Sequence, residues 1–174
     1  MRVFNNRILR IKEELEASGI RTYMAVKTLH ESVNGRLVTR QIQLAPSLLF
    51  VRCTREELLR FKQDHFSDLM LYRQADRMEP APIDDREMEI FILVTSAGEG
   101  AALEYVGDRF DFKTGERVRV TEGPFKGAEG IIKRIKKDRK LLVAIQGVVV
   151  VAVSHIPGAF LERIPDPGPT TSKK

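Results

Sequence analysis

The chain is poor in the residues that most often carry covalent or metal chemistry. Among 174 residues there is one cysteine, Cys53, so no internal disulfide forms; a lone thiol fits a reducing compartment and equally fits an ordinary small core residue. The three histidines, His30, His65 and His155, stand far apart with no cysteine or carboxylate at metal-ligand spacing, so no metal site is expected. There is no phosphate-binding P-loop and no nucleophile elbow, and the acidic pair Asp84-Asp85 reads as helix capping ahead of a catalytic dyad. The expectation is a protein that is not an enzyme and needs no cofactor. Long apolar runs are also missing. The longest, Val148 to Val153, is too short to cross a bilayer, and no charged start followed by an apolar stretch suggests a signal peptide. A cytoplasmic monomer with no membrane partner is expected.

What is present is a clustered positive charge. The formal net charge is +5, and the window from Asp111 to Lys140 holds ten Lys/Arg against five acids, which accounts for the whole excess. Clustered positive charge favours phosphate-rich partners and salt-sensitive association. For Lys136 to Lys140 a second reading is as strong: a solvated hairpin tip whose lysines blunt edge pairing. With 43% hydrophobic residues the chain is long enough for two small domains, each with a modest core.

Asn5 or Asn6 is placed to cap a helix running to about Ser18, with Ile8, Ile11 and Leu15 on its buried stripe, Arg7, Arg10 and Glu14 on its wet side, and Gly19 as its stop. Ile20 to Lys27 reads as a strand. Asn34-Gly35 is the strongest hairpin signal in the chain, and its polar flanks, Thr28 to Val33 and Arg36 to Gln43, are expected to project as a two-stranded arm. Leu44-Ala45-Pro46-Ser47-Leu48-Leu49-Phe50-Val51 is a bend followed by an apolar strand. Thr54 to Glu57 has capping-box spacing for a second helix, a strand is expected near Leu69 to Arg73, and Ile83 to Met88 opens a third helix ending near Thr95. The order β-α-β-β-β-α-β-α predicts an α+β domain over residues 1–95, with helices flanking an antiparallel sheet.

Residues 96–110 read as a linker, small and flexible at its start. Residues 111–165 then show five short strands at Arg117 to Val120, Glu129 to Ile135, Leu141 to Ile145, Val148 to Val153 and Leu161 to Ile164, which indicate a small five-stranded β-barrel. Residues 166–174, rich in Pro, Ser, Thr and Lys, are expected to be disordered. The most informative run lies inside the barrel, from Thr114 to Arg134. Val118 and Val120 alternate with Arg117 and Arg119 as in a half-buried strand. Gly123-Pro124-Phe125, Gly127 and Gly130 then supply a sharp turn and a close backbone approach.

This run resembles the KOW motif of NusG-type transcription elongation factors and several ribosomal proteins, carried by the Gly115 turn, the Val118/Val120 alternation, Gly123-Pro124-Phe125, and Gly130 before Ile131-Ile132. Pro46-Ser47-Leu48-Leu49-Phe50-Val51 and Ala81-Pro82-Ile83-Asp84-Asp85 are similar to the matching parts of the NusG N-terminal domain, so the resemblance covers nearly the whole chain. It implies an SH3-like barrel behind an N-terminal domain that docks on the clamp helices of RNA polymerase and suppresses pausing or termination. The docking surface maps onto Leu44, Pro46, Leu48 and Phe50, for which plain core packing is the competing reading. Arg7 and Arg10 correspond to a region that touches nontemplate DNA in specialised relatives, with a solvated helix face as the alternative; Lys136 and Lys137 are the nucleic-acid candidates of the barrel. Where relatives carry Phe-Gly-Arg to grip ribosomal protein and Rho, this chain has Gln146-Gly147-Val148, so the resemblance does not extend to those two partners. The strand Ser47 to Val51, the Met88-Glu89-Ile90-Phe91 helix and Val149 to Ile164 look most like the UpxY-type NusG paralogues of Bacteroidetes, which antiterminate surface-polysaccharide operons, capsular ones among them. The alternative function is a ribosome-associated RNA-binding KOW protein.

Overall fold

In the computed structural model, which describes residues 1–65, 68–73, 79–96, 102–107, 115–135 and 138–165, the contacts divide the chain into two units, Met1–Ile83 and Asp84–Lys174. The first runs β1 (Arg2–Val3), α1 (Ile8–Ala17), β2 (Arg21–Tyr23), β3 (Val26–Val33), β4 (Arg36–Gln43), β5 (Phe50–Arg52), α2 (Arg55–Asp64) and β6 (Leu69–Met70). Four strands therefore separate the first two helices, where the sequence suggested three.

Ile8, Ile11 and Leu15 share one face of α1, and all three are buried in an apolar cluster with Val3, Ile20, Leu49, Leu69 and Leu71. Each such aliphatic side chain contributes about 1.5–3 kcal/mol on leaving water. The expected cap is not formed by Asn5 or Asn6. Both asparagines adopt left-handed backbone, with φ of 57° and 56°, and turn the chain, while Arg7 takes the N-cap position and its side chain makes no capping bond. Asparagine tolerates that region better than other side chains do, so the pair serves as a turn and is lost as a cap. At the other end Gly19, φ 79°, reverses the chain and lets the Ile20 N–H donate to the Leu15 carbonyl at 3.0 Å.

The strands of this unit form three two-stranded antiparallel sheets, β1–β6, β2–β5 and β3–β4. Residues just before β5 join the first two. The Met1 amine donates to the Leu49 carbonyl at 2.8 Å, the Leu49 N–H returns to Met1 at 3.0 Å, and the Val3 N–H donates to Ser47 at 2.8 Å. The Asn34-Gly35 turn forms as expected, with φ of 51° and 75° and Val33 opposite Arg36. The capping box also forms: the Glu57 N–H donates to the Thr54 hydroxyl at 3.3 Å, and the Thr54 N–H donates to the Glu57 carboxylate at 2.7 Å.

The second unit contains α3 (Asp85–Thr95), β7 (Leu103–Gly107), β8 (Glu116–Val120), β9 (Glu129–Ile135), β10 (Asp138–Ile145), β11 (Val149–Val153) and β12 (Leu161–Arg163). Its strands form one six-stranded antiparallel sheet in the order β12-β8-β9-β10-β11-β7. The expected barrel had five strands; the sixth, β7, lies in what reads from sequence as linker and pairs Leu103, Glu104 and Tyr105 with Val153, Ala152 and Val151. The β10–β11 register sets Leu141/Val153, Val143/Val151 and Ile145/Val149 on one face and Leu142/Ala152 with Ala144/Val150 on the other. All five residues of β11 are buried, so the valine run is a strand covered on both sides. The third helix, grouped from sequence with the first domain, falls with the second unit and packs on β10. Its N-cap is Asp84, whose carboxylate accepts from the Arg86 and Glu87 N–H groups at 2.9 and 3.3 Å. The expected tail and the start of the linker lie outside the described residues.

Candidate functional site

The glycine-rich turn connects β8 and β9. Gly123 and Gly127 both have left-handed φ, 81° and 92°, and the turn closes through the Gly127 N–H on the Val120 carbonyl at 2.8 Å and the Val120 N–H on the Ala128 carbonyl at 2.9 Å. Phe125 is buried and anchors the turn, while Pro124 and Lys126 are exposed at its rim. Gly130 has a different duty. A Cβ there would lie 2.3 Å from the Leu142 carbonyl oxygen, so the absence of a side chain lets β9 approach β10. The run thus shapes the sheet and presents Lys126.

Next to the turn sits a charge cluster that sequence reading missed. The Glu129 carboxylate, 9% exposed, accepts from Arg86 at 2.6 Å, from Arg119 at 2.8 and 3.0 Å, and from Arg117 at 3.3 Å. Burial acts to raise this carboxyl's pKa, but the bonds from Arg119 and Arg86 outweigh it and hold the group below the usual carboxylate range. Part of the cluster was readable, since Arg119 and Glu129 face each other across the β8–β9 ladder. Arg86 comes from α3, and no sequence spacing predicts its arrival. A second tie joins α3 to the β10–β11 turn, where the Gln146 N–H donates to the Glu87 carboxylate at 3.0 Å.

Of the four candidate docking residues, Leu44, Leu48 and Phe50 are buried at 3%, 5% and 5% exposure, and Pro46 is exposed. Ser47 beside it takes a left-handed φ of 62° with its N–H on the Gln43 side chain at 3.0 Å, a bend that leaves Pro46 on the surface. Arg7, at the N-cap of α1, and Arg10, in its first turn, are exposed and already ion-paired, Arg7 with Asp68 at 2.5 Å and Arg10 with Glu14 at 2.7 Å. Glu14 also meets the His65 Nε2 at 2.6 Å, tying α1 to the end of α2. Its carboxyl is held below the ordinary value by the Arg10 bond first and the His65 bond second. Lys136 and Lys137 lie outside the described residues. Lys140, counted from sequence in the same basic run, is buried at 9% exposure and bonds Glu104 of β7 at 2.5 Å, so it is structural.

Among the described residues no group of three or more His, Cys, Asp or Glu is placed to hold a metal ion, and no helix is long and apolar enough to cross a membrane. Residues 114–151 match the KOW motif, a span that takes in β8, β9 and β10 with the turn described above. The chain is 43% identical over 68 residues to the transcription termination/antitermination protein NusG of Borreliella burgdorferi, covering 38% of this chain and 36% of that protein. Against the NusG of Neisseria meningitidis serogroup B the identity is 35% over 68 residues, with the same shares covered. The chain thus spans about a third of the length of these curated relatives. A solved structure that addresses domain interaction in Thermotoga maritima NusG aligns over 94% of both chains at 20% identity, with a TM-score of 0.46. The second unit therefore carries a KOW motif, and over 68 residues the chain is NusG-like.

Proposed function

We propose that the protein is a transcription elongation or antitermination factor that binds RNA polymerase through its first unit, docks on the clamp helices, and suppresses pausing or termination at a specific operon of the surface-polysaccharide kind. The observation that carries this reading is the KOW motif at residues 114–151 together with the identity to two NusG proteins named for termination and antitermination. The likeness to UpxY-type paralogues supplies the operon class. In this reading Pro46, on the exposed bend, is the direct contact, and buried Leu44, Leu48 and Phe50 set the shape of the segment that presents it. Arg7 and Arg10 reach nontemplate DNA by exchanging a carboxylate partner for a phosphate.

The test is co-elution of the full chain with purified bacterial RNA polymerase, followed by pause and terminator read-through assays. Binding that is lost in Pro46→Asp, with the fold retained by circular dichroism, supports the reading. Failure to bind polymerase, combined with association with ribosomes, would replace it by the ribosomal RNA-binding alternative.

A further inference from the structure

The β3–β4 hairpin has no role in the reading above. Neither of its edges is paired to a third strand among the described residues, and every residue from His30 to Leu37 is exposed. A lone two-stranded hairpin gains little from burial, so a ribbon this long points to a partner. Directly opposed residues share a face, and the register sorts the side chains cleanly. One face carries Thr28 with Gln41, His30 with Thr39, and Ser32 with Leu37: hydroxyls, an amide and an imidazole, with no carboxylate. The other carries Lys27 with Ile42, Leu29 with Arg40, Glu31 with Val38, and Val33 with Arg36. None of Lys27, Arg36 and Arg40 is held in an ion pair among the described residues.

The chemistry selects among partners. The exposed aliphatics are split, Leu37 on one face and Val33 and Ile42 on the other, so no single apolar patch is offered to a protein. Single-stranded nucleic acid is held by aromatic stacking platforms, and the ribbon contains neither Phe, Tyr nor Trp. The major groove of A-form RNA is too narrow for side chains to read. B-form DNA fits: its major groove, about 12 Å wide, admits a two-stranded ribbon, and side chains of the Thr, Ser and Gln type pair with base edges there. Paired strands of eight residues extend about 27 Å, and Arg36 and Arg40 on one strand are about 13 Å apart.

We propose that the β3–β4 ribbon is a duplex-DNA-binding arm that enters the major groove. Thr28, His30, Ser32, Thr39 and Gln41 face the base edges, and Leu37, at the tip of the same face, meets thymine methyl groups. Lys27, Arg36 and Arg40 reach from the opposite face to the flanking phosphates, and Glu31, the ribbon's carboxylate, points away from the bases. This holds whether or not the protein binds polymerase.

The experiment measures binding of the full chain to a labelled DNA duplex of about 24 base pairs, its single strand and the matching RNA duplex, by fluorescence anisotropy across a salt series. In the triple variant Lys27→Ala, Arg36→Ala, Arg40→Ala, affinity for duplex DNA should fall on the order of 100-fold near about 0.1 M salt, and the slope of log K against log salt should drop by about 2–3. Methylating guanine N7, which lies in the major groove, should weaken binding of the native chain. Circular dichroism confirms that the variant is folded. Native affinity and slope in the triple variant, indifference to N7 methylation, or preference for RNA or single strands would each overturn the proposal. A native chain that fails to bind polymerase yet binds duplex DNA with the expected salt and N7-methylation dependence would overturn the functional reading and leave this one standing, which separates the two failures.

Discussion

Gly130 and Gly127 stand three residues apart in the same motif, yet their glycines answer different constraints. At Gly130 an added Cβ would meet the Leu142 carbonyl oxygen at 2.3 Å and Leu141 Cδ1 at 3.0 Å, and a backbone atom in the β10 ladder has nowhere to go. Gly130→Ala should therefore destabilise the second unit by about 1–3 kcal/mol or more, as overpacking does. Gly127 has open space around it and only its φ of 92° to lose, so Gly127→Ala should cost about 1–2 kcal/mol. Urea unfolding of both variants checks the order, and an equal or reversed ranking would remove the close-approach argument. Glu129 makes a pH prediction. Its folded pKa is depressed, so its contribution is complete above the unfolded carboxyl value of about 4.3 and is lost as pH falls through the folded one. Glu129→Gln should flatten that acid limb in a urea-midpoint series, and an unchanged limb would assign acid sensitivity to other carboxylates. The position of Gly130 was legible because a motif fixes it; the Arg86 bond to Glu129 was not, because the partners are 43 residues apart and meet only when α3 packs.

At the scale of elements, legibility followed how local the determining chemistry is. The Thr54 capping box and the Asn34-Gly35 turn are settled within a few residues, and both formed where expected. Thr54→Ala should cost about 1 kcal/mol, read from thermal unfolding of the first unit, since it removes the hydroxyl that accepts from the Glu57 N–H and donates to the Glu57 carboxylate at 2.9 Å. Gly35→Val places a β-branched residue at φ 75°, where it is strongly disfavoured. The expected outcome is loss of the cross-strand Val33–Arg36 NMR contacts with those of the Leu15 and Leu49 cluster intact. Loss of both together would mean that the ribbon supports the core. Strand β7 was missed for the opposite reason. Leu103-Glu104-Tyr105-Val106 has strand-type residues but is too short to announce itself behind a run of small residues, and it becomes a strand because β11 offers a free edge and Lys140 supplies a partner for Glu104. Asn5 and Asn6 show a third case, in which two equally good local fates, cap or left-handed turn, are decided by where the chain must go next.

For the whole molecule, the boundary between units is the question the sequence answered differently from the contacts. Ser96 begins a stretch of small residues that reads as a linker, and composition alone places the third helix before it, in the first domain. The contacts place the division at Ile83/Asp84, and the reason is specific. The first turn of α3 sends Arg86 to Glu129 and Glu87 to the Gln146 N–H, Phe91 and Val94 are fully buried, and the helix lies on β10. If those bonds belong to the folding unit, a fragment of residues 84–174 should unfold cooperatively and withstand more urea than a fragment of residues 96–174, which keeps every strand but lacks the helix. The buried Phe91 and Val94 side chains alone are worth about 1.5–3 kcal/mol each, so the difference should be well outside measurement error. The double variant Arg86→Ala, Glu87→Ala in the longer fragment should reproduce part of that loss in stability, because both polar ties are cut while the apolar face stays. Fragments of equal stability, with the Glu129 and Gln146 amide signals unchanged between them, would return the helix to the first domain and restore the boundary near residue 95.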